Sequence, residues 1–349
     1  MLETDTTTTA TTTTTPLRLQ NGQVLEVKSN SSVEADEIPI IDVAGIYSED
    51  IQVRKAVAEQ IREACHRIGF FYAINHGVDP KYSEEAFHQA KRFFAQPVEK
   101  KLELDTANVP DEYFGYFPME TNSRSGAKKK DLMEAFNFGY AAKEDPWSTS
   151  DDEGNSVWPS DLPGFREGMY QYHTALLMFA RKMSRIFALA LHLPEDAFDD
   201  YIKKPDAAMR ILHYPQQEAS VDDQNGIGAH TDFECFTIVT QDDSGGLEVL
   251  SKSGQWIRAK PVPGSFVVNI ADCFMRQTND FFVSTVHRVI NKSGRERYSI
   301  PFFYGFDRTK KLEAVPTCVS ADNPMRYPIM TSGEYVLWRA QLAKGAGTY

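Results

Sequence analysis

Two histidines and an aspartate in this chain have the types and spacing of a metal-ligand set. His230-Thr231-Asp232 is followed, after 54 intervening residues, by His287 and then by Arg297-Tyr298-Ser299. Two imidazoles and one carboxylate form the facial triad that holds a non-haem Fe(II) on one side and leaves the opposite positions open. The residues around His230 alternate as in a strand, so His230 and Asp232 share a side while Thr231 points away. His287 lies in Ser284-Thr285-Val286-His287-Arg288-Val289-Ile290, whose β-branched content reads as a second strand. Further on, Arg297 and Ser299 share a face by the same period of two. They present a guanidinium beside a hydroxyl, and a planar Arg fork grips a carboxylate with two parallel hydrogen bonds.

A lone H-x-D triplet arises by chance in many chains; the ordered series carries the information. MRILHYP (Met209 to Pro215), GIGAHTDFECFTIVTQDDSGGLEV (Gly226 to Val249), VVNIADCFMRQTNDFFVSTVHRVI (Val267 to Ile290) and RYSIPFF (Arg297 to Phe303) occur in that order. Upstream stand IPIID (Ile38 to Asp42) and GFFYAINHGV (Gly69 to Val78). Over nearly all of residues 38 to 345 the chain resembles the Fe(II)/2-oxoglutarate-dependent dioxygenases of the isopenicillin N synthase-like superfamily, and within it the microbial and fungal branch. The resemblance implies that His230, Asp232 and His287 ligate iron and that Arg297, Ser299 and Tyr214 bind the distal carboxylate of 2-oxoglutarate. Leu212 stands where an Asn is usual, which removes one polar contact to the cosubstrate. The implied reaction uses Fe(II), 2-oxoglutarate and O2 and releases succinate and CO2. The substrate is hydroxylated, desaturated or cyclised. The pocket is expected from Arg210, Phe233, Phe303, Phe117 and Glu134, with Phe114, Tyr116, Met133 and Phe136 on the same loop. Arg210 lies four residues before Tyr214 and so shares its face on a regular strand.

Composition bounds the alternatives. The net charge of -12 disfavours nucleic acid and anionic membranes, which reward clustered Lys and Arg. Lys128-Lys129-Lys130 is the one basic cluster, and Asp131 and Glu134 answer it at once. Cys65, Cys235, Cys273 and Cys318 are widely spaced and form no C-x-x-C pattern, which fits the reducing cytoplasm. Cys235 is expected to pack rather than ligate. No apolar run reaches membrane-spanning length. A small-molecule substrate and a monomer or weak homo-oligomer are the expected partners.

The elements that must position these residues follow from periodicity. Residues 1–37 are expected to be mostly disordered, most clearly the Thr-rich run up to about Pro16. Residues 38–150 form the amino-terminal region, with a strand over Ile38 to Val43, helices over Glu49 to Arg67 and Pro80 to Gln96, and a strand over Phe70 to Ile74. Residues 151–349 hold a long helix within Leu162 to Leu193, then short Val- and Ile-rich runs broken by Asp243-Ser244-Gly245-Gly246, Lys252-Ser253-Gly254 and Pro263-Gly264. A final helix over Ser332 to Leu342 has Ser332 as its N-cap. The fold class is mainly β with flanking α, a double-stranded β-helix (jelly roll) wrapped by the amino-terminal and long central helices. His213, alternating with Tyr214, is expected to face away from the metal. Two other readings are an Fe(II)/O2 oxidase of the same fold that does not use 2-oxoglutarate, and a non-catalytic jelly-roll binding protein.

Overall fold

A computed structural model describes residues 14–19, 23–28, 32–34, 37–109, 113–119, 130–217 and 224–343. Most of the Thr-rich run, Lys128, Lys129 and the last six residues lie outside them. In chain order the elements are Thr15–Arg18 (β1), Val24–Val27 (β2), Ser32–Val33 (β3), Ile40–Asp42 (β4), Ile51–Arg67 (α1), Phe70–Ile74 (β5), Pro80–Phe94 (α2) and Val98–Leu102 (α3). Then come Gly115–Phe117 (β6), Glu134–Gly139 (β7), Phe165–Ala190 (α4), Asp206–Tyr214 (β8), Ile227–His230 (β9), Phe236–Gln241 (β10), Leu247–Leu250 (β11) and Trp256–Arg258 (β12). Phe266–Ile270 (β13), Asp272–Gln277 (α5), His287–Val289 (β14), Arg297–Gly305 (β15) and Ser332–Ala343 (α6) complete the chain.

Two sheets carry the site. The larger has the strand order β4-β5-β13-β10-β15-β8-β7-β6 and the smaller β3-β12-β11-β14-β9. Strands from both sides of residue 150 thus share one sheet. Alternation along the larger sheet sorts its side chains into two layers. Met209, Ile211, Ile238, Val268, Ile300 and Phe302 face outward onto α1, α2 and α4 in one apolar core. Leu212, Tyr214, Val267 and Ala135 face inward with Leu247, Val249, Ile257 and Val289 of the smaller sheet in a second core. On α4, Met169, Tyr172, Leu176, Phe179, Met183, Ile186 and Ala190 are all buried, the stripe that spacings of three and four predict.

Among the described residues before 38, Leu17, Leu19, Leu25 and Val27 pack with Trp256 and Leu250. Two expectations change at element ends. Helix α1 starts after Asp50, whose carboxylate accepts from the Gln52 amide at 2.8 Å. Thr331, not Ser332, caps α6: the Glu334 amide donates to Thr331 Oγ1 (3.2 Å) and the Thr331 amide donates to Glu334 Oε2 (2.7 Å), a reciprocal capping box. Ser332 is instead wholly buried.

The loop after β7 is fastened to α4 by a two-pronged ion pair in which Arg181 donates to Asp145 at 2.6 and 2.7 Å. Both side chains are buried, and Trp147 lies on the guanidinium at 4.2 Å. Replacing Asp145→Ala strands a buried cation and is expected to cost about 3–5 kcal/mol in denaturant unfolding; a change under about 1 kcal/mol, the range of surface pairs, would contradict this.

Candidate active site

Strands β9 and β14 run antiparallel with His230 directly opposite His287, their ring centroids 4.4 Å apart. Strand β9 ends at His230, so Asp232 arrives through a turn and not by strand alternation. The Asp272 amide donates to the Asp232 carbonyl at 3.1 Å and fastens that turn to the start of α5. Asp232 Oδ1 then lies 3.7 Å from His230 Nε2 and 3.6 Å from His287 Nε2. Each imidazole uses Nδ1 on a backbone carbonyl, His230 on Gly228 at 2.8 Å and His287 on Thr285 at 3.1 Å. A carbonyl can only accept, so Nδ1 carries the hydrogen and the Nε2 lone pair points at the shared centre. Asp232 is divided in the same way, because Thr237 Oγ1 (2.6 Å) and Asn269 Nδ2 (2.8 Å) both donate to Oδ2 and leave Oδ1 facing the imidazoles. All three donor atoms lie within 4.8 Å of one another. Two neutral imidazoles and one carboxylate suit a divalent transition metal such as Fe(II).

Deeper between the sheets Arg297 is almost wholly buried, at 1% exposure, and no carboxylate pairs with it among the described residues. Its Nη1 donates to Ser299 Oγ (2.9 Å), its Nη2 to Gln241 Oε1 (3.1 Å) and its Nε to the Gly245 carbonyl. The Tyr214 ring lies 4.7 Å from the guanidinium. Its buried hydroxyl makes no hydrogen bond of ordinary geometry among the described residues. Burial pushes the Tyr214 pKa up, although the Arg297 charge pulls it down, so the hydroxyl is a proton donor at neutral pH. A buried cation and an unused buried donor side by side fit an anionic group, because leaving either one unmatched is costly. The Tyr214 ring also explains Gly226, where a Cβ would come within 2.7 Å of it.

On the inward face of β8, Arg210 joins Tyr214 as alternation predicts, with its guanidinium 4.9 Å over the Phe117 ring and Nη2 3.8 Å from Met133 Sδ. Phe303, on the same face of β15 as Arg297 and Ser299, is partly exposed and lies opposite Thr237, the donor to Asp232. Phe233 follows the Asp232 turn and is covered by the Arg339 guanidinium at 4.6 Å. Glu134 does not belong to this group. It sits on the outward face of β7, where Lys101 Nζ (2.6 Å) and Tyr116 hydroxyl (2.6 Å) donate to its carboxylate and His213 Nδ1 lies 2.7 Å away. Burial alone would raise its pKa, but these partners hold it below the usual range. Tyr116 and Phe136 share that outward side with the core under α2. His213 faces away from the three convergent donors, and Cys235 is buried in the apolar core with its thiol pKa pushed up by burial, both as expected. The sequence reading missed Thr237, Asn269 and Gln241. A lone Asn in the otherwise apolar run Phe266–Ile270 was the available signal for Asn269.

Comparison with known proteins shows the family. Residues 38–161 match the family profile described as non-haem dioxygenase in morphine synthesis N-terminal, and residues 205–306 match the 2OG-Fe(II) oxygenase superfamily. The "2-oxoglutarate-Fe(II) type oxidoreductase ppzC" of Metarhizium rileyi is 39% identical, covering 93% of this chain and 94% of its own. The "2-oxoglutarate-Fe(II) type oxidoreductase hxnY" of Emericella nidulans is 36% identical over 85% of this chain and 88% of its own. Among solved structures, full-length Neurospora crassa T7H in complex with alpha-KG and thymine superposes with a TM-score of 0.78 at 29% identity, covering 90% of this chain and 99% of that one. The chain belongs to the 2-oxoglutarate/Fe(II)-dependent oxygenase superfamily. It is an oxidoreductase that uses iron and 2-oxoglutarate on a small organic substrate, with the double-stranded β-helix fold.

The division of the Asp232 carboxylate yields a test. Thr237→Val or Asn269→Leu releases one hold on Oδ2 and is expected to weaken Co(II) or Fe(II) binding by about 10–100-fold, as loss of outer partners of metal ligands does. Metal titration of the folded variants checks this, and unchanged affinity in both would contradict it.

Proposed function

We propose that His230, Asp232 and His287 hold the iron, and that Arg297, Ser299 and Tyr214 hold the far carboxylate of 2-oxoglutarate. The observation that carries this reading is the buried Arg297 beside the unused Tyr214 hydroxyl, facing the same interior as three convergent metal donors. When bound, iron with 2-oxoglutarate and O2 supplies the oxidant: one oxygen atom goes into succinate as CO2 leaves, and the other oxidises the substrate. The protein's own share is positioning and exclusion of water. Arg297 neutralises and orients the cosubstrate, Tyr214 adds a donor, and Leu212 replaces a further polar contact with apolar wall.

The substrate lies against Phe303, Phe233 and Phe117, with Arg210 offering a cation to an acidic or carbonyl group. A small natural product or catabolite fits, since Neurospora T7H binds the small heterocycle thymine and related chains are named for natural products, such as azadirone synthase of Melia azedarach. The acidic charge of -12 supports a small-molecule rather than nucleic-acid partner, and four unpaired thiols support the cytoplasm. No helix among the described residues is long and apolar enough to cross a membrane. A monomer or weak homo-oligomer is the assembly we expect.

Two measurements test the proposal. His230→Ala, Asp232→Ala and His287→Ala should each abolish turnover while thermal unfolding stays cooperative; substantial oxidation by any two would show the metal to lie elsewhere. Arg297→Lys keeps the charge but loses the fork, so 2-oxoglutarate affinity should fall by roughly ten- to a hundredfold. Affinity for the primary substrate, with 2-oxoglutarate saturating, should change much less. If only the primary substrate is weakened, and product forms without stoichiometric succinate, the 2-oxoglutarate-independent oxidase reading replaces this one.

A further inference from the structure

Helix α6, far along the chain from the metal donors, returns to the turn that carries Asp232 and meets it through buried charge. Arg339 pairs with Asp272 and donates to Thr231 Oγ1 at 3.2 Å and, through Nη1, to the Tyr335 hydroxyl at 3.1 Å. Thr231 and Tyr335 hydroxyls both donate to Asp272 Oδ2, at 3.1 and 3.3 Å. Thr231, Asp272, Tyr335 and Arg339 are each no more than 6% exposed. On the other side of the turn the Arg339 guanidinium covers Phe233, and the Asp272 and Cys273 amides donate to the Asp232 and Phe233 carbonyls, each at 3.1 Å. The residues before and after Asp232 are therefore gripped by one guanidinium, and Asp232 itself is held by backbone.

Docking α6 alone needs no such arrangement. Tyr335, Val336 and Leu342 already supply it with buried apolar contacts, and burying a guanidinium with a carboxylate carries a desolvation penalty that apolar side chains avoid. The ion pair is closed onto the segment that carries Asp232. We propose that Arg339 is a positioning residue of the iron site: through Thr231, Asp272 and Phe233 it fixes the Asp232 turn, so that the carboxyl-terminal helix sets the metal affinity. This rests on the assignment of His230, Asp232 and His287 as the metal ligands.

The test measures Co(II) binding to the full-length chain, beside its thermal unfolding, for Arg339→Met, Thr231→Val and the control Val336→Ala. Val336→Ala trims the apolar contacts of the same helix without touching the turn. Arg339→Met should weaken Co(II) binding by about tenfold or more, the range seen when outer partners of metal ligands are lost. Thr231→Val should weaken it in the same direction, and Val336→Ala should lower the melting temperature while leaving Co(II) affinity unchanged. If Arg339→Met and Thr231→Val bind Co(II) like the parent protein, or if Val336→Ala weakens binding as much as Arg339→Met, the positioning role is overturned. Should Arg339→Met fail to fold, Thr231→Val decides alone, because it keeps the Arg339–Asp272 pair. Failure of the parent chain to bind Co(II) would instead overturn the metal-site assignment on which this rests.

Discussion

Register between two short strands governs this molecule. Only when β9 and β14 pair with His230 opposite His287 do two imidazoles from distant parts of the chain come within reach of one ion. A slip of one residue would turn one imidazole to the other face of the sheet. Backbone carbonyls then fix each ring by its Nδ1, and the larger sheet completes the set from across the interior, Thr237 of β10 and Asn269 of β13 taking the second oxygen of Asp232. Both sheets, and hence both sides of the barrel, are committed to three donor atoms.

Strand alternation builds the complement of this donor set. Arg297, Ser299 and Phe303 share one face of β15, and Arg210, Leu212 and Tyr214 share one face of the neighbouring β8. A single line of inward side chains thus runs from a buried cation, past hydroxyls and apolar wall, to the partly exposed ring beside the Asp232 holder. We infer that the cosubstrate spans the first part of that line and the substrate meets the last. The outward faces of the same strands do unrelated work, packing Met209, Ile211, Ile300 and Phe302 under the helices. One sheet can serve both because neighbouring residues never face the same way.

Much of this was legible in the sequence, for physical reasons. Spacing of two on β15 and four on β8 put Arg297 with Ser299 and Arg210 with Tyr214, and the apolar stripe of α4 was plain. Glu134 was not legible. Its strand is covered on both sides, so the Met133-Glu134-Ala135-Phe136 run shows no clean apolar-polar alternation from which to choose a face. The buried partners that decided the matter, Lys101, Tyr116 and His213, come from three separate elements. Thr237 was hidden because the turn after His230 breaks the period between Asp232 and β10. The grip of Arg339 on Thr231 joins residues more than a hundred apart in the chain, and no local pattern announces such a contact.

The central claim is that one metal, held by His230, Asp232 and His287, is also the metal to which 2-oxoglutarate binds. Anaerobic titration of the full-length chain with Fe(II) and then 2-oxoglutarate, followed by visible absorption, tests it most directly, because charge transfer from iron to the keto acid arises only when both share a coordination sphere. The account predicts a band that needs both components, saturates at one equivalent of each, and is missing from His287→Ala. A chain that binds 2-oxoglutarate equally well without Fe(II), or a band that survives in His287→Ala, would contradict it.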